Sequence, residues 1–393
     1  MRWVLYILIG CCPLWLTAQE EQKERNWELN GYIKSLQTLI FFNNSYPDLQ
    51  NLRLVDTFLV DNLLHNRLNF KWYPNDHLTF YAEARNRIFY GDLVKANPNY
   101  GEQIGNANND YFDLSAVLLD KNGWVIHSML DRLYLEYINN NWEIRLGRQR
   151  VNWGISTVWN PNDIFNAFSF TDFDYEERPG SDALRVRYYT GFASSVELVV
   201  NAFDTWDEAT IAGLWRFNKW QYDFQLLAGY TEQYLSLGGG WAGNIKNAGF
   251  KGEFNYFSAL ENGLDDAFAA TIALDYSLSN STYFNLGILY NDQGSTDAPI
   301  SGLFSFELSA RNLYPYRWAV FGQVGYPFTP LLNGGLAIIY SPVKAHPLFI
   351  NPTLSYSISQ NWDLDLVGQL VFNRDEKYTS PIQAAFLRLK FSF

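Results

Sequence analysis

Cysteine is nearly missing from this chain of 393 residues: Cys11 and Cys12 are the only two. Both fall in 1–19, MRWVLYILIGCCPLWLTAQ, where Arg2, an apolar run to Leu16 and the small Thr17 and Ala18 precede polar EEQKER. That layout predicts a secretory signal peptide cut near Ala18 or Gln19. A lipoprotein signal ending at Cys11 (LIGC) is the competing reading. The expected mature chain, 20–393, then has no thiol, which excludes a disulfide scaffold and a thiolate metal site. Histidine is almost as scarce. His65, His77, His127 and His346 lie far apart without paired-ligand spacing, so no metal is expected. Cations are in deficit too. Without Arg2, 28 basic side chains face 41 acidic ones, and 28 − 41 = −13 excludes nucleic acid as a partner. After the signal no apolar run approaches the about 18 residues of a membrane helix.

Catalytic patterns are absent as well. There is no G-x-S-x-G elbow, and Gly238, Gly239 and Gly240 lack the spacing of a phosphate cradle. His127 and Ser128 are neighbours on an alternating segment, so they point to opposite faces and form no dyad. Neither an enzyme nor a bound cofactor is expected.

What the chain has in excess is aromatic rings: 14 Trp, 26 Tyr and 29 Phe, or 18% of residues. An exported, ring-rich chain without cysteine or apolar helices suggests a transmembrane β-barrel, with a secreted sandwich or propeller as the alternative. Segments of about ten alternating residues recur. In 64–72, Leu68, Phe70 and Trp72 share a face opposite Arg67, Asn69 and Lys71; in 361–372, Trp362, Leu364 and Leu366 oppose Asp363 and Asp365. Short polar turns are expected at 74–76, 139–141, 190–191, 218–219, 279–281 and 359–361, and long loops at 91–125, 154–180 and 292–315. Trp27, Trp72, Trp142, Trp220 and Trp362 stand beside short turns, the pattern of an aromatic girdle at a lipid–water boundary. Both chain ends should lie on the short-turn side, so strand number is even. Dividing 236–257 at 246–247 raises the tally from seventeen to eighteen. The prediction is an all-β fold, a transmembrane antiparallel up-and-down barrel of 16–18 strands with eighteen favoured. A barrel of that size encloses water.

The terminal stretch FLRLKFSF alternates fully, with Leu387, Leu389, Phe391 and Phe393 opposite Arg388 and Lys390. Pairing it with the first strand would close the cylinder and remove both edges.

Sorting inward positions strand by strand predicts a basic wall of Arg67, Lys71, Arg85, Arg87, Arg132, Arg145, Arg185 and Arg187, with Glu83, Glu136 and Glu143 interspersed. The later strands contribute Asp223, Glu253, Asp275, Asp363 and Asp365. A merely solvating polar lumen is the plainer reading. Loop 154–180 carries Asp163, Asp172, Asp174, Glu176 and Glu177 among apolar anchors such as Trp159 and Phe170. It is expected to fold into the channel as a constriction whose carboxylates face the basic wall; the alternative is a loop packed over the mouth.

The stretch RLGRQRVNWGISTVWNPNDIFN (145–166) resembles a family of porin-like Gram-negative outer-membrane barrels, mostly of undetermined substrate, with a GRQ-x-x-x-WG segment at a strand end. The matching residues are Gly147, Arg148, Gln149, Trp153 and Gly154. Arg148 and Arg150 depart from the inward phase of Arg145, so a bulge or the strand's exit is expected there. The terminal aromatic also resembles the signal read by the outer-membrane assembly machinery. The resemblances imply outer-membrane lipid as surroundings and that machinery as a partner, while the water-filled barrel and its basic lining lead to the expectation of passive diffusion of a small polar or anionic solute. Oligomerisation stays open. The other function considered is a non-conducting barrel that anchors or assembles a surface complex.

Overall fold

The computed structural model describes residues 26–43, 58–106, 111–170, 174, 178–297, 308–374 and 377–393; the expected signal peptide lies outside them. Alternation of apolar and polar side chains along strands long enough to pair on both edges can bury backbone polar groups in only one way: closure. The strands are β1 (Trp27–Phe42), β2 (Phe58–Asn75), β3 (Leu78–Gly91), β4 (Ser115–Lys121), β5 (Trp124–Asn139), β6 (Trp142–Gln149), β7 (Ser181–Gly191), β8 (Ser194–Asn201), β9 (Thr210–Lys219), β10 (Tyr222–Thr231), β11 (Tyr234–Ile245), β12 (Ala248–Ala259), β13 (Ala267–Ser277), β14 (Tyr283–Asn291), β15 (Trp318–Thr329), β16 (Leu332–Tyr340), β17 (Leu348–Ser359), β18 (Trp362–Arg374) and β19 (Tyr378–Ser392). Each pairs antiparallel with its neighbour in the chain, except that β3 pairs with β5, and β1 pairs with β19. The short β4 shares with β6 one edge of β5: β6 occupies its lower part and β4 the upper. The result is a closed barrel of eighteen strands with β4 as an appended hairpin arm. Its seam is tight. Gly31 and Phe393 exchange backbone hydrogen bonds of 3.0 Å each way, and a Cβ on Gly31 would lie 2.1 Å from the Arg67 carbonyl oxygen.

The division at 246–247 is where the chain turns, between β11 and β12. Two other turns fall two residues beyond the expected polar pairs, at 192–193 and 220–221. In the second, Trp220 and Gln221 take φ of 54° and 65°, the doubly left-handed geometry that matches hairpin twist. Ladder pairing continues through Asn218 and Lys219, so cross-strand register overrode the turn preference of the polar residues. One short turn, at 232–233, sits at the long-loop end between β10 and β11. The expected long loop 91–125 contains two short helices, α1 (Asp92–Ala96) and α2 (Tyr100–Gly105), together with β4.

The outer surface is apolar. Leu68, Leu146, Leu198, Leu226, Leu286, Leu366 and Leu387 are all exposed. At the turn end Trp27 stands opposite Trp72, Trp142 opposite Tyr188 and Trp362 opposite Phe391. At the loop end Phe41 meets Phe58, Tyr90 stacks on Trp124, and Tyr290 meets Trp318. Two aromatic belts thus bracket the apolar band. A contiguous outward surface of this kind is far larger than water-soluble monomers carry.

Candidate lumen and inward loop

The eight expected basic residues all lie on β2, β3, β5, β6 and β7 and face inward, but they are not a bare ladder. Carboxylates of the same wall hold most of them. Arg67 is fully buried and bonds Asp131 (2.8 Å), Glu83 and Asn69. Arg85 and Arg132 approach the same Asp131, at 3.8 and 3.1 Å. Arg145 pairs with Glu136 (2.6 Å) and Glu143 (3.1 Å). Arg185 and Arg187 converge on Glu197, at 2.7 and 2.6 Å. Arg87 contacts His127 Nδ1 at 3.1 Å, and Lys71 lies over the Tyr81 ring. Eight cations against Glu83, Asp131, Glu136, Glu143 and Glu197 leave 8 − 5 = +3 for this wall.

Asp131 and Glu197 are two acids of this wall that sequence reasoning missed. Strict alternation would turn Asp131 outward, since Arg132 faces in. The β3–β5 ladder instead slips between Glu83 and Ala84, leaving Asp131 as an extra residue in β5. Such a bulge flips the phase of everything beyond it, so Asp131 and Arg132 both serve the lumen. Glu197 had a visible signal: it is the lone charge in SVELVVN, on the inward parity of Ser195 and Val199. On the later strands Asp365 pairs with Arg388 (2.9 Å) and Asp275 with Lys251 (3.2 Å).

The GRQ-x-x-x-WG residues form the root from which the chain leaves the wall and enters the lumen. Gly147 has φ of +118°, and a Cβ there would lie 2.3 Å from the Leu133 carbonyl oxygen. No register shift accompanies it. Of the two expectations, a bulge or the strand's exit, the ladder shows no bulge and β6 ends at Gln149; the left-handed Gly147 lets Arg148 turn inward just before that exit. Arg148 forks onto Asp182 at 3.0 and 2.8 Å, while Asp182 also accepts the Phe112 N–H (2.9 Å) from the preceding long loop. Gln149 donates to the Ala183 carbonyl oxygen (3.1 Å). Trp153 is fully buried and donates its indole N–H to Glu197 (2.8 Å). Gly154 packs against Asn160, whose Oδ1 would be 2.4 Å from an added Cβ.

From that root the loop crosses the barrel interior. The Gln225 amide of β10 donates to the Trp153 carbonyl oxygen (2.7 Å). Ile155 and Ser156 donate backbone N–H groups to Glu253 of β12 (3.2 and 2.8 Å), and Asn162 donates to the Gly239 carbonyl oxygen of β11 (2.9 Å). Glycine is required at 240, because a Cβ there would sit 2.9 Å from the Gly252 carbonyl oxygen as well as 2.7 Å from Ile155 Cδ1. Farther on, Val158 and Trp159 pack with Leu289, Phe321, Ile339 and Phe349 of β14 to β17, joined by Phe170 and by Leu313, Tyr314 and Tyr316 of the loop before β15. Asp174 then reaches Lys34 of β1 (2.8 Å) and Arg388 of β19 (3.5 Å). On the return, the Arg178 carbonyl oxygen accepts from Arg132, and its guanidinium covers the Phe168 ring.

The expected loop carboxylates are therefore dispersed. Asp163 is buried on the β10–β12 side and accepts the Trp153 N–H (3.3 Å) rather than meeting the basic wall. Burial pushes its carboxyl up to about 7. Asp174 pairs with Lys34 and Arg388, beside that wall. Asp172, Glu176 and Glu177 lie outside the described residues. Desolvation lowers the Arg178 guanidinium to about 10. Above the loop a cavity of about 870 Å³ opens between β7 and β12, with Asp204, Asp207, Glu208 and Glu232 on its rim. Among the described residues no group of three His, Cys, Asp or Glu side chains is placed to hold a metal.

No protein-family model matches the chain, and no curated protein matches it. Solved structures do. OpdQ of Pseudomonas aeruginosa superposes with a TM-score of 0.59 at 8% identity, covering 94% of this chain and 99% of that one. OccK5 (OpdH) of the same organism gives 0.60 at 11%, covering 93% and 98%. OccK11 (OpdR), also from that organism, gives 0.56 at 12%, covering 93% and 96%. The fold is a porin-like barrel.

Proposed function

We propose that the chain is an outer-membrane, porin-like channel for passive diffusion of small polar solutes, with a preference for anions, and that loop 154–180 is its constriction. The observation that carries this reading is the loop's course: it leaves β6, crosses the interior and binds β10, β11, β12, β1 and β19 from inside. A segment held in that way narrows the lumen without detaching from its wall. The +3 balance of the basic wall supports anion preference, because a fixed field in a narrow polar passage sorts ions by sign. Apolar bands between aromatic belts support insertion in the outer membrane. Export through residues 1–19 and recognition of the terminal strand by the assembly machinery complete the proposed route. Recordings in planar bilayers test it. Wild type should conduct with an anion-selective reversal potential, and Gln at Arg145, Arg185 and Arg187 together should move selectivity toward cations. Identical selectivity in that variant would remove the idea.

One observation favours the non-conducting alternative: the Trp159 cluster fills the interior beside β14 to β17. Liposomes that fail to swell in any small sugar or salt would decide for a barrel that anchors a surface complex.

A further inference from the structure

The joint between the inward loop and β12 carries more oxygen than hydrogen bonds can use. Asn160 Oδ1, Asp163 Oδ2 and Glu253 Oε2 are buried and have no hydrogen-bond partner among the described residues. Asn160 is 4% exposed, and the two acids 1% each. The remaining oxygen of each carboxyl is engaged on one short backbone stretch: Asp163 Oδ1 accepts from Trp153, and Glu253 Oε1 from Ile155 and Ser156. Asn160 Oδ1 lies against Gly154, in the middle of that stretch. The three unused oxygens are thus gathered around 153–156, and the Ser156 hydroxyl of the same stretch is likewise buried without a hydrogen-bond partner among the described residues. Arg150 and Arg178 temper Asp163 electrostatically, but among the described residues neither forms an ion pair with it. Two buried carboxyls anchored on one four-residue backbone stretch carry a desolvation cost that a cation between them would offset.

We propose that Asn160, Asp163, Glu253 and Ser156 form a site for a hard divalent cation, calcium by its chemistry, which staples the inward loop to β12. The donor set is all oxygen, with no imidazole or thiolate, and this selects Ca²⁺ or Mg²⁺ over transition metals. Calcium accepts mixed carboxylate, amide and hydroxyl oxygens in a flexible shell that water completes, whereas magnesium demands a tight octahedron. One ion also supplies the charge that the two buried acids need. The staple would fix the loop at the point where it first crosses from β6 to the opposite wall.

Terbium(III), an oxygen-seeking luminescent probe of calcium sites, tests this on the full-length protein in detergent after chelator treatment. Trp153 donates its backbone N–H to Asp163, so its ring lies one side-chain length from the proposed ligands and serves as the sensitiser. Sensitised emission should saturate at one ion per chain, be displaced by Ca²⁺ in preference to Mg²⁺, and vanish in Glu253→Gln. Asn160→Ala keeps both carboxyls and should weaken Ca²⁺ competition about tenfold or more; it decides the matter if the Glu253 variant fails to fold. No emission from wild type, or emission and Ca²⁺ competition unchanged in both variants, would overturn the site. Neither readout depends on conduction, so the channel reading and the cation site fail separately.

Discussion

Glu197→Gln is the substitution that most directly probes how the basic wall is held. Glu197 is 1% exposed. It accepts from the Trp153 indole N–H at 2.8 Å and from Arg185 Nε and Arg187 Nε at 2.7 Å each, with Arg216 at 3.6 Å. The amide keeps the size but removes the negative charge that Arg185, Arg187 and Arg216 share. It also turns one acceptor oxygen into a donor facing donors. Breaking a buried ion pair from one side costs about 3–5 kcal/mol. Arg187 and Arg216 are 15% and 31% exposed, and Arg187 retains Glu143 at 3.4 Å. Water and that second carboxylate therefore absorb part of the loss, which places the expected cost near the lower bound, about 3 kcal/mol, or more than a hundredfold in the folding equilibrium. Urea unfolding in detergent micelles, followed by tryptophan fluorescence, measures it. The Trp153 emission should also shift to the red in the folded state as water reaches the loop root. A variant within about 0.5 kcal/mol of wild type, with unchanged folded-state emission, would refute the view that Glu197 organises this wall.

Three further outcomes follow from the same geometry. Gly147→Ala places a Cβ at φ +118° against the Leu133 carbonyl oxygen and should cost about 1–3 kcal/mol in urea unfolding; a neutral result would mean that β6 relaxes freely there. With divalent ions chelated, Asp163 keeps a proton in the folded state up to about pH 7, whereas the unfolded carboxyl loses it near its ordinary 3.8. Stability should therefore fall as pH rises between those values and level off above them. Asp163→Asn should flatten that slope in urea midpoints; an unaltered slope would show that the group is not desolvated. Deleting Phe393 removes the paired hydrogen bonds to Gly31 and should lower the yield of heat-resistant, folded barrel in cells, with wild-type yield as the contrary result.

Much of the barrel was legible because lipid-facing and water-facing side chains must alternate. The Leu68, Phe70, Trp72 face of β2 followed from that rule, and the division at 246–247 from the even strand number that closure with both ends on one side requires. It failed where backbone geometry changed phase without a sequence mark. Asp131 looks outward-facing until one extra residue in β5 is known, and Arg148 until Gly147 is seen in a left-handed conformation. Trp220 looked like the first residue of a strand because it is large and apolar, but register placed it in a turn. The inward course of the loop could be guessed from its apolar anchors. Its partners could not, since Glu253, Gln225 and Lys34 are distant in the chain and nothing local marks them as acceptors or donors to residues 153–174. The neutralising role of Glu197 was visible only in part, as an isolated charge among Val and Leu.

The central claim is that one face of each strand meets hydrocarbon and the other meets water. Its most direct test uses the confinement of cysteine to Cys11 and Cys12, inside the expected signal peptide. Single cysteines placed in turn at Leu68, Asn69, Phe70 and Lys71 of β2, in protein reconstituted into lipid vesicles, can be challenged with a water-soluble maleimide. The account predicts rapid labelling at 69 and 71 and protection at 68 and 70. Equal labelling at all four positions, or protection at 69 and 71 instead, would contradict it.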